Sequence, residues 1–292
     1  MRLITFSHDG ATRIGLLEED EVIDLQAAVP DLPTEMVRFL EAGEPALEAA
    51  RAAQKSPGSR LSREDVHLES PVLRPPKILA VGLNYADHVA ESGLDAPKYP
   101  MIFNKQSTAA HPPFDAFHVP RVSAAVDYEG ELALVIGKRC RHVPKARASE
   151  VIAGYTICND VSVRDWQLRV PTFTMGKSFD THCPLGPALV TKEEISDPHS
   201  LDLQTFINGE LRQSSNTKNL IFDCFTLVEH LSTAFTLEPG DVISTGTPGG
   251  VGVVMKPPKF LVAGDVVKIA ISGLGEIENA VVDEPLSTVR IG

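Results

Sequence analysis

Three acidic side chains alternate along one short segment of the chain. Asp127, Glu129 and Glu131 occupy every second position within residues 125–137. Because successive side chains of a β-strand point to opposite faces, a strand here places the three carboxylates on one face, about 6.6 Å apart at roughly 3.3 Å rise per residue. That face continues with Ala133 and Val135, with no Lys or Arg between the acids. Carboxylates entering a buried strand need a counter-charge, which a hard divalent cation supplies. The spacing therefore predicts a metal site, and a solvated strand end is the alternative.

A histidine and a glutamate have the spacing of an acid–base pair. If residues 83–93 form a turn or a short helix ending at Gly93, His88 and Glu91 stand at i and i+3 and can touch. A carboxylate that is hydrogen-bonded to imidazole orients the ring and raises its basicity, which suits a general base acting on water. An exposed helical pair without a catalytic role is the alternative.

Further polar groups follow later in the chain. Asp160 ends a predicted strand over residues 155–160 and is the candidate third metal ligand. Lys177 follows Gly176 in a predicted loop and could reach a negative charge, although most loop lysines do not. Residues 242–252 carry a strand into a glycine-rich turn whose N–H groups can bind a carboxylate or phosphate. This turn has neither a Walker nor a dinucleotide-binding pattern.

The elements that must position these groups are mostly strands. Residues 2–25 predict an antiparallel unit, and residues 33–54 predict a helical segment in two pieces. We divide the chain into an N-terminal α+β module, residues 1–70, and a catalytic domain, residues 71–292. From residue 189 onward the chain is mostly strand, with a helical period over residues 220–235. The fold class is mixed α/β and β-rich.

Composition narrows the range of functions. The net charge of −12 argues against a nucleic acid partner, and there is no basic tract for a membrane surface. No apolar run approaches the about 20 residues of a membrane span, and the first residues lack the apolar run of a signal peptide. The four cysteines are scattered, without a Cys-x-x-Cys pair. We therefore expect a cytoplasmic protein with reduced thiols and a small-molecule substrate.

Taken together in this order, several short motifs resemble the fumarylacetoacetate hydrolase family, in its acylpyruvase-like branch. The resemblance covers roughly residues 77–282 and rests on these motifs: Asn84-Tyr-Ala-Asp-His88, Tyr128-Glu-Gly-Glu131, Asn159-Asp160, Arg164-Asp165, Gly176-Lys-Ser178, Asn208-Gly-Glu-Leu-Arg212, Thr245-Gly-Thr-Pro248 and Gly250-Val-Gly252. It implies a catalytic domain of rolled mixed sheets, an N-terminal module and a homodimer.

The resemblance also implies a role for each candidate residue. It implies Mg²⁺, or Mn²⁺ or Ca²⁺, as the cofactor. It assigns no role to Asp127 or to Lys105, which lies in Phe-Asn-Lys-Gln where the family's acylpyruvases are expected to have Phe-Leu-Lys-Pro. The implied sets are metal ligands Glu129, Glu131 and Asp160; the water-activating dyad His88 and Glu91; Lys177 for the developing enolate; and substrate contacts from Arg164, Gln167, Gly246 and Thr247.

The reaction implied by the resemblance is hydrolysis of a C–C bond in a 2,4-diketo acid. His88 would take a proton from the water that attacks C4, and the metal and Lys177 would stabilise the pyruvate enolate that leaves. The products are pyruvate and a carboxylic acid. The same site could instead decarboxylate oxaloacetate, or isomerise or hydrate an unsaturated 2-oxo acid. A non-catalytic metal-binding relative is the remaining alternative.

Overall fold

The structure is a computed structural model that describes residues 1–55, 59–93 and 95–288. Strands dominate it, as the mixed α/β, β-rich prediction requires. No helix within these residues is long and apolar enough to cross a membrane. The strands are β1 Arg2–His8, β2 Ala11–Glu18, β3 Glu21–Asp24, β4 Arg60–Ser62, β5 His67–Leu68, β6 Ile78–Gly82, β7 Met101–Lys105, β8 Ala110–His111, β9 Phe117–Val119, β10 Val126–Asp127, β11 Gly130–Ile136, β12 Ile152–Asn159, β13 Ser162–Val163, β14 Cys183–Thr191, β15 Asp202–Ile207, β16 Glu210–Asn216, β17 Val242–Ser244, β18 Val266–Ile271 and β19 Gly275–Asp283.

The helices are short, and several of them contribute buried side chains to the hydrophobic cores. The longest, α7, begins after Asp223, whose side chain accepts a hydrogen bond from Thr226 N and so caps it. The helices are α1 Leu25–Ala28, α2 Met36–Ala42, α3 Glu44–Ala53, α4 Ala86–Ser92, α5 Arg164–Gln167, α6 Thr174–Lys177 and α7 Cys224–Ala234.

Two sheets face each other across the main core. The larger has the order β4-β3-β2-β1-β14-β12-β11-β17-β6-β7, with β5 paired to β1 and β8 to β14; the smaller has the order β16-β15-β18-β19-β9. β1 is hydrogen-bonded to β14 with Arg2 opposite Val190, so the N-terminal strands continue the larger sheet. The division of the chain at residue 70 stays a prediction about folding units.

Strand β11 shows that the larger sheet is covered on both faces. Leu132, Leu134 and Ile136 pack into the core that it shares with the smaller sheet. Ala133 and Val135 point the other way and join a second core with side chains of α2 and α3. This period-2 alternation with two buried faces explains the long apolar run. It also means that the acidic residues at the start of β11 lead directly into the interior.

The prediction of one continuous strand over residues 125–137 is wrong. The chain forms two strands, β10 and β11, separated by Tyr128 and Glu129. β10 pairs with β13, whereas β11 pairs with β12 and β17. The break is stable because the Asn159 side chain accepts the hydrogen bond of the Glu129 N–H at 3.1 Å. Asp127 consequently lies on a different strand from Glu131 and does not share one strand face with it.

Candidate active site

The three predicted metal ligands come together where β11 and β12 lie side by side. Glu129 immediately precedes β11, Glu131 lies inside it, and Asp160 immediately follows β12. The pairing of Gly130 with Asn159 brings these positions to one end of the two strands. One carboxylate oxygen from each residue lies within 4.8 Å of the others, and all three side chains are buried. Oxygen ligands of this kind suit a hard divalent cation.

Two cationic side chains contact Glu129 directly. The Lys177 ammonium lies 2.6 Å from Glu129 Oε2 and 2.7 Å from Asp160 Oδ2. Arg164 Nη1 lies 2.6 Å from Glu129 Oε1, and its Nε donates to Asp127 Oδ2 at 2.8 Å. Lys177 stands at the end of α6 rather than in the predicted loop. All of these groups are buried, so their charges are weakly screened.

The pKa values of the two glutamates shift in opposite directions because their neighbours differ. Burial raises the pKa of Glu129, but Lys177 and Arg164 outweigh it and lower that pKa to about 2. Burial and the negative charges of Asp160 and Glu129 raise the pKa of Glu131 well above its ordinary value. Glu131 Oε2 has neutral donors, Ser244 Oγ at 2.5 Å and Gly246 N at 2.8 Å.

The residues present fit a divalent cation. With Glu131 ionised, four buried carboxylates face three buried cations, so the cluster carries one net negative charge. A divalent cation more than offsets this negative charge and counters the repulsion from Asp160 and Glu129 that helps to raise the pKa of Glu131. The cluster consists of Asp127, Glu129, Glu131 and Asp160 with Lys105, Arg164 and Lys177.

The predicted His88–Glu91 pair is formed on α4. His88 Nδ1 lies 2.8 Å from Glu91 Oε1, and Gly93 ends the helix in the left-handed conformation. Glu91 Oε2 accepts a hydrogen bond from Gly250 N at 2.9 Å, which fastens the helix to the glycine-rich turn. A carboxylate at Nδ1 holds the ring with Nε2 as the remaining nitrogen.

The glycine-rich turn uses its N–H groups differently from the expectation. Gly246 N donates to Glu131, Gly252 N donates to Asp127, and Gly250 N donates to Glu91. Gly246 has φ +101°, and a Cβ there would lie 2.8 Å from Asn84 Cβ, so only glycine fits. The Thr247 hydroxyl donates to Gly130 O at 3.0 Å. The turn therefore supports the protein's own carboxylates, and contacts of Gly246 and Thr247 with a substrate stay predictions.

A cavity of about 290 Å³ joins most of the predicted residues. Glu91, Glu131, Asp160 and Gly246 do not line it, although Glu91 contacts His88 and Asp160 contacts Lys177, which do. Its outer wall is apolar, with Val81, Leu83, Met101, Phe103, Leu168, Phe173, Val253 and Val254. Its polar lining is formed by His88, Ser92, Glu129, Arg164, Gln167, Lys177 and Thr247.

Two residues that had no predicted role lie at the centre of the site. Asp127 is the buried partner of Arg164, and Lys105 Nζ donates to Asp160 Oδ1 at 2.7 Å. The acidic spacing included Asp127 in the row of carboxylates, but the family resemblance assigned it no role. The sequence drew attention to Lys105 only because Phe-Asn-Lys-Gln stands where Phe-Leu-Lys-Pro is expected.

These contacts define an enzyme rather than a simple metal-binding module, because an acid–base pair and a buried lysine meet a metal-binding cluster at one cavity. A model of the fumarylacetoacetate (FAA) hydrolase C-terminal family matches residues 77–282. The chain is 47% identical over 288 residues to oxaloacetate tautomerase fahd2, mitochondrial, of Xenopus laevis, covering 97% of this chain and 90% of that protein. The chain belongs to the fumarylacetoacetate hydrolase family, as predicted.

Solved structures of the same fold agree with this assignment. A 5-carboxymethyl-2-hydroxymuconate delta-isomerase from Mycobacterium smegmatis matches with a TM-score of 0.80 and 38% identity, over 97% of this chain and 100% of that one. A maleylpyruvate hydrolase from Sphingobium sp. SYK-6, in complex with manganese (II) ion and pyruvate, matches with a TM-score of 0.82 and 34% identity, over 98% and 100%. The predicted fold class is confirmed. The names of these relatives divide between tautomerase, isomerase and hydrolase.

Proposed function

We propose that the protein interconverts the enol and keto forms of oxaloacetate, or of a closely related 2-oxo acid, with a divalent cation as cofactor. The proposal rests on the convergence of His88, Lys177 and Glu129 on one cavity. A keto–enol interconversion needs a base at C3 and positive charge at the C2 oxygen. Similarity to a protein named oxaloacetate tautomerase supports this substrate.

His88 is the group that we propose moves the proton at C3. Glu91 accepts from Nδ1, which leaves Nε2 with the lone pair of a neutral imidazole. His88 lines the cavity, so Nε2 is the nitrogen that can meet a substrate there. Glu91 is in turn held by Gly250 N, so the ring is oriented through two linked hydrogen bonds.

Lys177 is the cation that we propose faces the enolate oxygen. Burial lowers its pKa, but Asp160 and Glu129 outweigh burial and raise that pKa above its ordinary value. Its side chain therefore stays an ammonium that can stabilise negative charge or donate a proton. Gln167 lies beside it, with Oε1 accepting from Arg164 at 2.9 Å, so its NH₂ group is the end that can donate to a substrate.

Glu129, Glu131 and Asp160 would hold the cation, for which we propose Mg²⁺ with Mn²⁺ or Ca²⁺ as alternatives. When bound, such a cation polarises an adjacent carbonyl oxygen as a Lewis acid. The site could serve oxaloacetate decarboxylation by the same enolate stabilisation. Arg164 and Thr247, at the cavity wall, are the further groups that we propose contact the substrate.

A second candidate function is hydrolysis of a C–C bond in an acylpyruvate, fumarylpyruvate or fumarylacetoacetate-type acid. The apolar outer wall favours it, because Met101, Phe103 and Phe173 offer space for a group beyond C4. In that reaction His88 would activate water instead of taking a proton from carbon. Similarity to a maleylpyruvate hydrolase also supports it.

A substrate panel tests the two candidates. Purified protein with Mg²⁺ is assayed against enol-oxaloacetate, acetopyruvate, fumarylpyruvate and 5-carboxymethyl-2-hydroxymuconate, with EDTA-treated protein as the control. With Mg²⁺ present, we expect the enol absorbance to fall faster than the spontaneous rate. EDTA treatment should remove this acceleration, and restoring Mg²⁺ should recover it. Cleavage of acetopyruvate or fumarylpyruvate without acceleration of oxaloacetate tautomerisation would favour the hydrolase instead.

We further propose a homodimer in the cytoplasm. Light scattering on the purified protein should give a mass near twice the 31.5 kDa of one chain. A mass near that of one chain at micromolar concentration would contradict the dimer. Fractionation of the source cells tests the location.

A further inference from the structure

Lys105 is an enclosed lysine whose ammonium group is saturated with acceptors. It ends β7, and its side chain has no exposed surface. Nζ donates to Asp160 Oδ1 at 2.7 Å, to Val161 O at 3.3 Å and to Lys177 O. An ammonium group has three N–H donors, so these three acceptors use all of them. Lys105 therefore ties the end of β12 to the end of α6.

Lys177 differs from Lys105 in this respect. Its Nζ contacts two carboxylates, Glu129 and Asp160, and the side chain lines the cavity. Two partners leave one N–H for a bound substrate. The two lysines also divide Asp160 between them: Lys105 contacts Oδ1 and Lys177 contacts Oδ2.

We infer that Lys105 is a positioning residue, which fixes Asp160 as a one-oxygen ligand for the divalent cation and holds α6 by the Lys177 carbonyl. Rotation of the Asp160 carboxylate would break its hydrogen bond to the Lys105 ammonium. The other two N–H groups of that ammonium already donate to Val161 O and Lys177 O. Oδ2 is then the oxygen left for the cation beside Glu129. This inference rests on the metal site of the proposed function and not on which 2-oxo acid reacts.

The one-oxygen arrangement has a consequence for the choice of metal. Mg²⁺ requires near-octahedral coordination by six oxygens at short distance, whereas Ca²⁺ accepts six to eight oxygens and often a bidentate carboxylate. Holding Oδ1 away from the cation therefore favours Mg²⁺. Loss of Lys105 would release Oδ1 and permit two-oxygen binding, which suits Ca²⁺.

Titration calorimetry with MgCl₂ and with CaCl₂ tests the inference on the full chain. Removing a side chain that is hydrogen-bonded to a metal ligand typically weakens metal binding by about 10–100-fold. For Lys105→Met we expect Mg²⁺ binding to weaken by about that factor and Ca²⁺ binding to weaken less, so that the selectivity for Mg²⁺ falls by about tenfold. Lys77→Met is the matched control, because Lys77 forms an ion pair with Asp241 at 2.8 Å and has no contact with the three ligands. It should leave both affinities unchanged.

Two results would overturn the inference. Tighter or unchanged Mg²⁺ binding in Lys105→Met would show that Lys105 acts at most as a repelling charge. Equally weakened binding of Mg²⁺ and Ca²⁺ would indicate a general loss of structure and not the release of Asp160 Oδ1 to the cation. If Lys105→Met fails to fold by circular dichroism, Lys105→Arg keeps the charge but not the three-acceptor geometry, and the same loss of selectivity is expected. Wild-type protein that binds neither metal would refute the metal site itself, which is a separate failure.

Discussion

Asp127→Asn is the substitution that tests most sharply how the wall of the site is anchored. Asp127 is fully buried, and its two oxygens accept four hydrogen bonds, from Tyr128 N, Gly252 N, Val253 N and Arg164 Nε. Both oxygens face donors, so either orientation of the amide places an NH₂ group against N–H groups. The substitution also leaves Arg164 without its second carboxylate. Removing one partner of a buried ion pair costs about 3–5 kcal/mol.

The change should be measured as a shift in the unfolding temperature. For a chain of this size, 1 kcal/mol corresponds to roughly 2 °C, so Asp127→Asn should lower the midpoint by about 6–10 °C. The size of the side chain hardly changes, so a cavity cannot account for the loss. Asp31→Asn, an exposed aspartate, is the control and should lie within about 1 °C of the wild type by scanning fluorimetry. A midpoint for Asp127→Asn equal to that of this control would refute the role given to the Asp127–Arg164 pair.

Three further outcomes are expected. Glu131→Ala should lose Mg²⁺ affinity and activity together, and calorimetry that shows unchanged binding would remove it from the ligand set. Gly176→Ala should reduce turnover without abolishing folding, since its Cβ would lie 2.1 Å from Gln167 N and must push α6 and Lys177 away; full activity would contradict this. Burial lowers the pKa of His182 to about 3. The unfolded chain therefore takes up the proton first as pH falls below about 6.5, and the free energy of unfolding declines by up to roughly 1.4 kcal/mol per pH unit. Urea denaturation near neutral pH and near pH 5 should show a smaller decline for His182→Gln, and an equal decline would contradict the assignment.

Local patterns in the sequence predicted much of the fold because they report on local geometry. The alternation along β11 predicts a strand, and the capping glycine Gly93 predicts the end of α4. The break at Tyr128 and Glu129 was not predictable in the same way. It depends on β10 and β11 having different partner strands, which is a property of the tertiary structure.

The site shows the same division between local and distant information. His88 and Glu91 are three residues apart, so helix geometry alone predicted their contact. Lys105 and Asp160 are 55 residues apart and meet only because β7, β12 and α6 converge. The glycine-rich turn was expected to offer its N–H groups to a carboxylate or phosphate of a ligand, but three of them donate to carboxylates of the protein. Those carboxylates are side chains of this chain, which no spacing within the turn could indicate.

The rate of oxaloacetate enol-to-keto conversion in His88→Ala, measured with Mg²⁺ affinity in the same preparation, tests the central claim most directly. General acid–base catalysis contributes about 10²–10⁴-fold, so the conversion should slow by that factor while calorimetry shows unchanged Mg²⁺ binding. His88 is hydrogen-bonded to Glu91, and it is not one of the three carboxylate ligands, which is why the two readouts should separate. A conversion rate in His88→Ala equal to that of the wild type would contradict the proposed proton transfer.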